Sequence, residues 1–365
     1  MNAMGSIFLF IFIFFGSSVS SFIYSKSKNS SNAVIFLIIS FLIMFVPAAI
    51  RNISVGTDTK TYIEIFYSIR KGVSWHEQRY EPLYLALIKF IDFLGLNHRG
   101  MLVIFSFLTY LFVFLSATRK YLYLIVPIYI LIAYPYSMSV LRQGLAITIA
   151  MYALRLFLER KYIKTIIWIL ISAGFHVSGM VYLPLFLLFY FFKLKTKYAI
   201  PIAIIASVLT SYVFTAQFII ENVASILGFN NMKITETYNY TAKGSGLGAF
   251  ARRILMAIPV IYLALSKIKN DNMLKNIVLV TFPLLIIANL YQIQSHIFNR
   301  LVMIFWFVYG MIFVCICQIG SRYRKIVISL ILCGWFTLFV IDLERDAGRK
   351  DGAFNVIPYR TMFQN

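Results

Sequence analysis

Apolar runs long enough to cross a bilayer alternate with polar connections along the whole chain. A membrane-spanning helix needs about 20 predominantly apolar residues, and such runs occupy residues 4–24, 33–50, 100–118, 121–138, 140–158, 198–218, 249–266, 276–295, 301–319 and 326–342. Because residues 1–4 carry no positive side chain, we interpret the first run as a membrane helix rather than a cleavable signal. The pattern predicts an all-α polytopic membrane protein with about ten full transmembrane helices, in a single transmembrane domain over residues 1–365.

The connections between these runs are of two kinds. Longer connections of mixed charge, rich in Tyr, Gly, Asn and Thr, cover 51–99, 219–248 and the tail 343–365. Short basic connections carry Lys26/Lys28, Arg119/Lys120, Arg160/Lys161/Lys164, Lys193/Lys195/Lys197, Lys267/Lys269/Lys275 and Arg322/Arg324/Lys325. Since cytoplasmic loops carry the excess of Lys and Arg, we predict that the basic connections lie inside and that the longer ones, with both termini, lie outside.

Two apolar segments do not fit as simple spans. Residues 82–96 are short, and a crossing there would place Arg119 and Lys120 outside, so we predict an amphipathic or re-entrant helix on the outer face. Residues 162–192 would form a helix of about 46 Å at 1.5 Å per residue, although both flanks are basic. We therefore expect this segment to rise and return, bending near residues 174–179 with His176 at the apex.

Composition supports a membrane protein and limits the alternatives. The chain is 61% hydrophobic and 13% charged, unlike soluble domains, and its net charge of +21 resides mainly in the short loops. Because no basic domain is present, nucleic-acid binding is not expected. Cys315, Cys317 and Cys333 lie in apolar stretches, and the C-x-C side chains point about 200° apart on a helix, so neither a disulfide nor a metal site is predicted.

Arginines occur at or near the ends of apolar segments on the predicted outer side, which the positive-inside rule leaves poor in cations. A guanidinium group binds phosphate oxygens in a bidentate geometry. We therefore predict that these side chains gather around a polyanionic lipid head group such as a pyrophosphate. The six arginines are Arg51, Arg79, Arg142, Arg252, Arg253 and Arg300.

Arg142 and Gln143 open the apolar run 140–158. The helix dipole disfavours a cation at a helix N-terminus, whereas a bound anion would reverse that cost with the help of backbone N–H groups. The alternative is an arginine that extends to lipid head groups.

The first outer connection places several polar groups next to a membrane exit. Its sequence begins at Arg51 and reaches Asp58 and Tyr62 after a turn at Gly56. Taken together, these groups are typical of the wall of a site. Taken alone, Asp58 fits an ordinary helix N-terminus equally well.

Further candidates lie in later outer segments. His176 could act as a general base or as a hydrogen-bond donor, and the alternative is a core histidine bonded to a carbonyl. The sequence Gly-Ser-Gly-Leu-Gly at 244–248 predicts a flexible lid before Arg252 and Arg253, with Tyr238 as a sugar-stacking platform. Arg300 closes another outer turn.

A resemblance to a known family rests on three stretches and the tail. They are Arg51…Val-Gly-Thr-Asp58-Thr…Tyr62, Leu-Arg142-Gln143-Gly…Ala146, Gly-Phe-His176-Val-Ser, and the terminal Pro358-Tyr359. In order and spacing they resemble the EpsG/Wzy-type polysaccharide polymerases of bacteria. Residues 200–290 show no such likeness beyond hydropathy.

The resemblance implies a GT-C-like fold and a glycosyltransferase that joins oligosaccharide repeat units at the outer face of the bacterial inner membrane, in O-antigen, capsule or exopolysaccharide synthesis. Donor and acceptor would be glycans on undecaprenyl pyrophosphate, with a flippase and a chain-length regulator as partners. Arginines would stabilise the leaving pyrophosphate, Arg142 and Arg300 first and Arg51 and Arg252 next. His176, or else Asp58, would take the acceptor proton. No metal or other cofactor is required.

Two other functions stay open. A flippase or transporter of the same lipid-linked glycan would need cations along a path through the bilayer. A membrane O-acyltransferase of surface glycans would need an inward path for an acyl donor.

Overall fold

The structure, a computed structural model, describes residues 2–28, 30–72, 80–213, 258–259, 261–263, 273–294, 299–318, 323–348 and 354–364. These parts of the chain are helical and contain no β-strand, which confirms the all-α polytopic fold class. They divide into two compact units, a first unit of Met1–Pro184 with Phe336–Asn365 and a second unit of Leu185–Trp335.

The helices named below are those of the described ranges. Two 3₁₀ helices cover Arg119–Tyr121 and Val177–Val181. In chain order the α-helices are α1 (Ala3–Lys26), α2 (Ser30–Ala49), α3 (Thr59–Arg70), α4 (Pro82–Phe93), α5 (His98–Leu115), α6 (Leu122–Ile132), α7 (Tyr134–Ser139), α8 (Leu141–Leu158), α9 (Tyr162–Phe175), α10 (Tyr182–Phe191), α11 (Thr196–Tyr212), α12 (Met273–Gln294), α13 (Asn299–Ile304), α14 (Trp306–Gln318) and α15 (Arg324–Gly348).

Within the described ranges, five helices are long and apolar enough to cross a membrane. They are Ala3–Lys26, His98–Leu115, Leu141–Leu158, Met273–Tyr291 and Lys325–Gly348. Other predicted spans are shorter or interrupted: the run 121–138 breaks at Ala133, and the run 301–319 breaks at Phe305. The run 249–266 lies almost wholly outside the described residues, so the count of about ten spans stays a prediction.

The connections of the first unit gather at two opposite ends of its helices. At one end Arg119 donates to the carbonyls of Tyr24 and Ser27, and Arg155 donates to that of Ala117. We call this the basic end. At the other end, the polar end, the Gly56 N–H donates to the carbonyl of Asn355. This separation of basic and polar connections is the one that the loop composition predicted for the first unit.

The predicted interfacial helix is α4, which at twelve residues is too short to span a bilayer. It packs with α3, α5 and α8 around a shared hydrophobic core. Tyr62 of α3, Tyr84 of α4 and Leu141 of α8 are all buried in that core. The core therefore fixes the start of α8 against the two short helices.

The segment 162–192 is broken at His176, where the sequence predicted a bend. Helix α9 ends at Phe175, and the 3₁₀ helix Val177–Val181 folds back against it. The contact is backbone against backbone: a Cβ placed on Gly179 would lie 2.3 Å from the nitrogen of Ala173 and 2.5 Å from the carbonyl carbon of Ser172. We refer to residues 176–181 as the His176 turn.

The C-terminal tail folds back on the polar end. The Asp346 carboxylate is buried and accepts backbone N–H bonds of 2.8–3.0 Å from all four residues 354–357. The tail backbone then pairs with the first outer connection, because Asn52 donates to the carbonyl of Arg360 and Met362 donates to that of Ile50. The tail thereby fixes the segment that follows α2.

Candidate functional site

Three sequence signals place polar side chains at the same end of the first unit. Pro82 occupies the first turn of α4, a position that suits proline, so Glu81 becomes the N-cap residue. The Glu81 side chain makes no capping bond to its own helix. Helix α8 begins at Leu141, so Arg142 lies in its first turn. Helix α3 begins after Asp58 and presents Tyr62 one turn later.

Glu81 joins Arg142 to the His176 turn. Nη1 of Arg142 donates to Oε2 of Glu81 at 2.5 Å, and the two side chains are only 15% and 16% exposed. The other carboxylate oxygen, Oε1, accepts the N–H of Val177 at 2.8 Å. One carboxylate therefore bridges the start of α8 and the turn that follows α9. Its negative charge also suits the positive end of the α8 dipole.

Tyrosine rings enclose the Arg142 guanidinium. Its Cζ lies 4.7 Å from the ring centroid of Tyr80, 5.1 Å from that of Tyr84 and 5.9 Å from that of Tyr62. These distances are within cation–π range. We call Arg142, Glu81 and the three tyrosines the arginine–tyrosine site. Together they present a planar cation, aromatic faces and a carboxylate.

Two buried polar atoms of this site have no hydrogen-bond partner. They are Nε of Arg142 and the hydroxyl of Tyr84. Burial first, and then the neighbouring Tyr62, raises the pKa of Tyr84 well above its ordinary value, so the hydroxyl keeps its proton. A buried donor without a partner is costly. Both atoms therefore suit an oxygen-rich ligand such as a phosphate or a sugar.

His176 makes local bonds through Nδ1. This nitrogen accepts the N–H of Ser178 at 3.1 Å and lies 2.8 Å from the Ser178 hydroxyl. Because a backbone N–H can only donate, Nδ1 carries no proton, and a neutral ring carries its proton on Nε2. His176 in this tautomer offers a hydrogen-bond donor to a ligand rather than a base.

The family model that matches this chain covers residues 34–361 and is described as the EpsG family. The chain belongs to the EpsG family. This is a family of Wzy-type polysaccharide polymerases, so the chain is a multi-pass membrane protein of the polysaccharide polymerase type. No curated protein and no solved structure gives a significant match.

In this EpsG-family chain Arg51 is held mainly by backbone carbonyls. The residue is 1% exposed, and its guanidinium donates to the carbonyls of Ala48 and Met138. Burial lowers the pKa of Arg51, partly offset by neighbouring tyrosines. Its bond to Met138 ties the end of α2 to the segment before α8. Through this bond Arg51 helps to hold the segment that leads into α8.

The remaining predicted residues fall into three groups. Gln143 is buried beside Arg142, and Asp58 is the partly exposed N-cap residue of α3. Arg300 is an exposed residue of α13 in the second unit. Arg79, Tyr238, Arg252, Arg253 and the lid at 244–248 lie outside the described residues. The gathering of six arginines around one site stays a prediction, and in the described chain Arg142 has aromatic and acidic neighbours.

Sequence analysis missed Glu81, Tyr80 and Tyr84. A signal was available, because a cation in the first turn of a helix calls for a nearby anion. That anion came from the protein as Glu81, immediately before Pro82. Tyr80 directly precedes Glu81, and Tyr84 lies in the first turn of α4.

Proposed function

We propose that this chain polymerises oligosaccharide repeat units that are linked to undecaprenyl pyrophosphate, at the outer face of the bacterial inner membrane. The growing glycan on its carrier is the donor, and one carrier-linked repeat is the acceptor. The observation that carries the proposal is the arginine–tyrosine site next to the His176 turn, at the polar end of a chain of the EpsG family.

Each group of the site matches a part of this substrate. A guanidinium binds the oxygens of a diphosphate in a bidentate geometry, and Nε of Arg142 is a donor without a partner. The C–H groups of a sugar ring can pack against the face of a tyrosine ring. The Tyr84 hydroxyl supplies a buried donor. The helix N-terminus of α8 adds a positive dipole.

The reaction breaks the bond between the anomeric carbon of the donor sugar and its pyrophosphate oxygen. An acceptor hydroxyl forms the new glycosidic bond, and its proton passes to a base. The lipid pyrophosphate leaves with the bonding electrons, and Arg142 stabilises the charge that develops on it. Because pyrophosphate is a good leaving group, the mechanism requires no metal.

We assign the base to a carboxylate of the polar end. When the diphosphate binds Arg142, Oε2 of Glu81 is released from the ion pair and can accept the proton. Asp58, at the start of the helix that carries Tyr62, is the second candidate. His176 donates from Nε2 to a sugar or phosphate oxygen, which replaces the base role that we first gave it. A Glu81→Gln variant that keeps full activity, beside an inactive Asp58→Asn variant, would transfer the base role to Asp58.

Replacement of Arg142 tests the site. Arg142→Ala, expressed in a deletion strain, should yield single-repeat surface glycan even where the protein still accumulates in the membrane, and Arg142→Lys should recover little polymer because an ammonium lacks the planar fork. Arg70→Ala is the matched control, since Arg70 forms an exposed ion pair with Asp92 in the neighbouring helices. Unchanged chain-length ladders in Arg142→Ala would remove Arg142 from the site.

Reconstitution separates the proposal from its alternatives. The purified chain is placed in vesicles with lipid-linked repeats and no other protein. Polymer identifies a polymerase, relocated monomer identifies a flippase, and modification that depends on an added acyl donor identifies an O-acyltransferase.

A further inference from the structure

A groove of about 510 Å³ opens at the basic end of the first unit, at the opposite end of α8 from Arg142. Its walls are apolar side chains of α2 and α5, and its polar lining lies at one end. The apolar walls include Leu37, Ile38, Phe41, Phe107, Leu111 and Phe114. The polar lining consists of Tyr24, Thr118, Arg119 and Arg155.

Backbone carbonyls hold one edge of the guanidinium groups of Arg119 and Arg155. Arg119 donates through Nε to Tyr24 at 3.0 Å and through Nη2 to Ser27 at 2.8 Å, in both cases to a backbone carbonyl. Arg155 donates through Nη1 to the carbonyls of Leu115 and Ala117 at 2.9 and 3.2 Å. A guanidinium has five N–H donors, so each side chain is held in place while part of its fork lines the groove.

The charge around the groove is strongly positive. The carboxylate of Glu159 accepts from Arg155 and from Lys161, at 2.8 and 2.6 Å. Lys26 lies over the ring of Tyr123 at the same end. These three cations and Arg119 outnumber the Glu159 charge, which leaves an excess that favours an anionic ligand.

We propose that this groove binds an anionic glycerophospholipid, with its phosphate on Arg119 and Arg155 and an acyl chain along the phenylalanine wall. An apolar groove that ends in two fixed guanidinium groups matches a molecule with a hydrocarbon tail and a charged phosphate. Basic pockets between transmembrane helices are suited to acidic lipid head groups. The site is separate from the arginine–tyrosine site and does not depend on the proposed reaction.

Lipid titration of the purified full chain in neutral detergent tests the proposal. Phosphatidylglycerol should bind and raise the melting temperature more than phosphatidylcholine, because both lipids offer similar chains and only the former carries a net charge. Retained lipid is counted by native mass spectrometry. Arg119→Gln should weaken phosphatidylglycerol binding about fivefold, whereas Lys120→Gln, which removes an adjacent charge outside the groove, should have little effect.

A groove-filling variant keeps the test independent of the arginine anchors. Leu111→Trp leaves every charge in place, and it should reduce the retention of phosphatidylglycerol if the chain lies against α5. Equal binding of both lipids by the unmodified chain would overturn the proposal, as would equal loss in Arg119→Gln and Lys120→Gln, or full retention in Leu111→Trp.

Discussion

Arg142 meets a carboxylate and three tyrosine rings in a setting that is largely shielded from solvent. Breaking a buried ion pair by removing one partner costs about 3–5 kcal/mol, so Arg142 and Glu81 depend on each other in the resting protein. A diphosphate that takes the place of Glu81 on Arg142 keeps the guanidinium paired, and the released carboxylate can then take up the acceptor proton. A diphosphate therefore binds by replacing one anion with another, and not by pairing with an arginine that has no counter-ion.

Tyr84 separates ligand binding from stability. Its hydroxyl is buried without a partner, and an unsatisfied buried polar group costs about 1–3 kcal/mol. Tyr84→Phe should therefore leave the melting temperature unchanged or raise it by a few degrees, while the KM for the lipid-linked repeat rises several-fold. Tyr80→Phe, at another tyrosine of the arginine–tyrosine site, serves as the comparison. A fall in melting temperature for Tyr84→Phe would indicate that the hydroxyl is bonded in the folded protein.

Single residues of the site were only partly accessible from sequence. Arg142, Tyr62 and His176 were selected as candidates, because a cation at a helix start, a polar segment after an apolar run and a histidine at a turn are each unusual locally. Glu81 was not, because its role depends on Arg142 and Val177, which are 61 and 96 residues away in the chain. For Arg51, the sequence does not show that its guanidinium donates to backbone carbonyls.

At the scale of elements, the site depends on short segments that are held by specific contacts. The His176 turn packs against the backbone of α9, and the tail is held by Asp346. Hydropathy predicted that 162–192 must reverse and that 82–96 must stay at the surface, because length and flanking charge limit both. It could not predict which carboxylate would bind the tail, because the Asp346 side chain accepts from backbone N–H groups, and no side-chain motif marks such a partner.

Gly179 should tolerate no side chain. Gly179→Ala places a methyl group inside contact distance of Ser172 and Ala173, so the His176 turn must shift, at a cost of about 1–3 kcal/mol. We expect a lower melting temperature and loss of polymer. Gly348→Ala is the control, since no atom lies within 4 Å of its added Cβ. Equal behaviour of the two variants would contradict the close packing of this turn.

Asp346 should control the order of the tail. In Asp346→Asn the side chain keeps one acceptor oxygen and loses the charge that four N–H groups share, and a hydrogen bond to a charged group contributes about 1.5–3 kcal/mol. Hydrogen exchange at residues 354–357 should accelerate markedly. Glu344→Gln, an exposed change of the same charge on the same helix, should leave it unaltered. Unchanged protection in Asp346→Asn would show that other contacts hold the tail.

At the scale of the whole molecule, the alternation of basic and polar connections was the strongest prediction. The first unit reproduces it, because the positive-inside pattern and the helix lengths allow few arrangements. The gathering of distant arginines was weaker, since hydropathy gives the side of the membrane but not the position within it. Arg300 and Arg142 belong to different compact units, and nothing in their local sequence relates the two.

Cysteine labelling tests this topology directly. In a background with Ser at positions 315, 317 and 333, Gln364→Cys should react with a membrane-impermeant maleimide in intact spheroplasts. Lys161→Cys should react only after permeabilisation. The opposite pattern would place the arginine–tyrosine site on the cytoplasmic side and exclude an outer-face polymerase.

The pairing of Arg142 with Glu81 also bears on selectivity against small ions. Because Glu81 already neutralises Arg142, the guanidinium attracts orthophosphate from the medium only weakly. This ion makes no stacking contact with the tyrosine rings and must still displace the carboxylate. A saccharide joined to a diphosphate brings both sets of contacts at once. On the proposed function, we therefore expect free phosphate to compete poorly with a diphosphate-linked saccharide for this site.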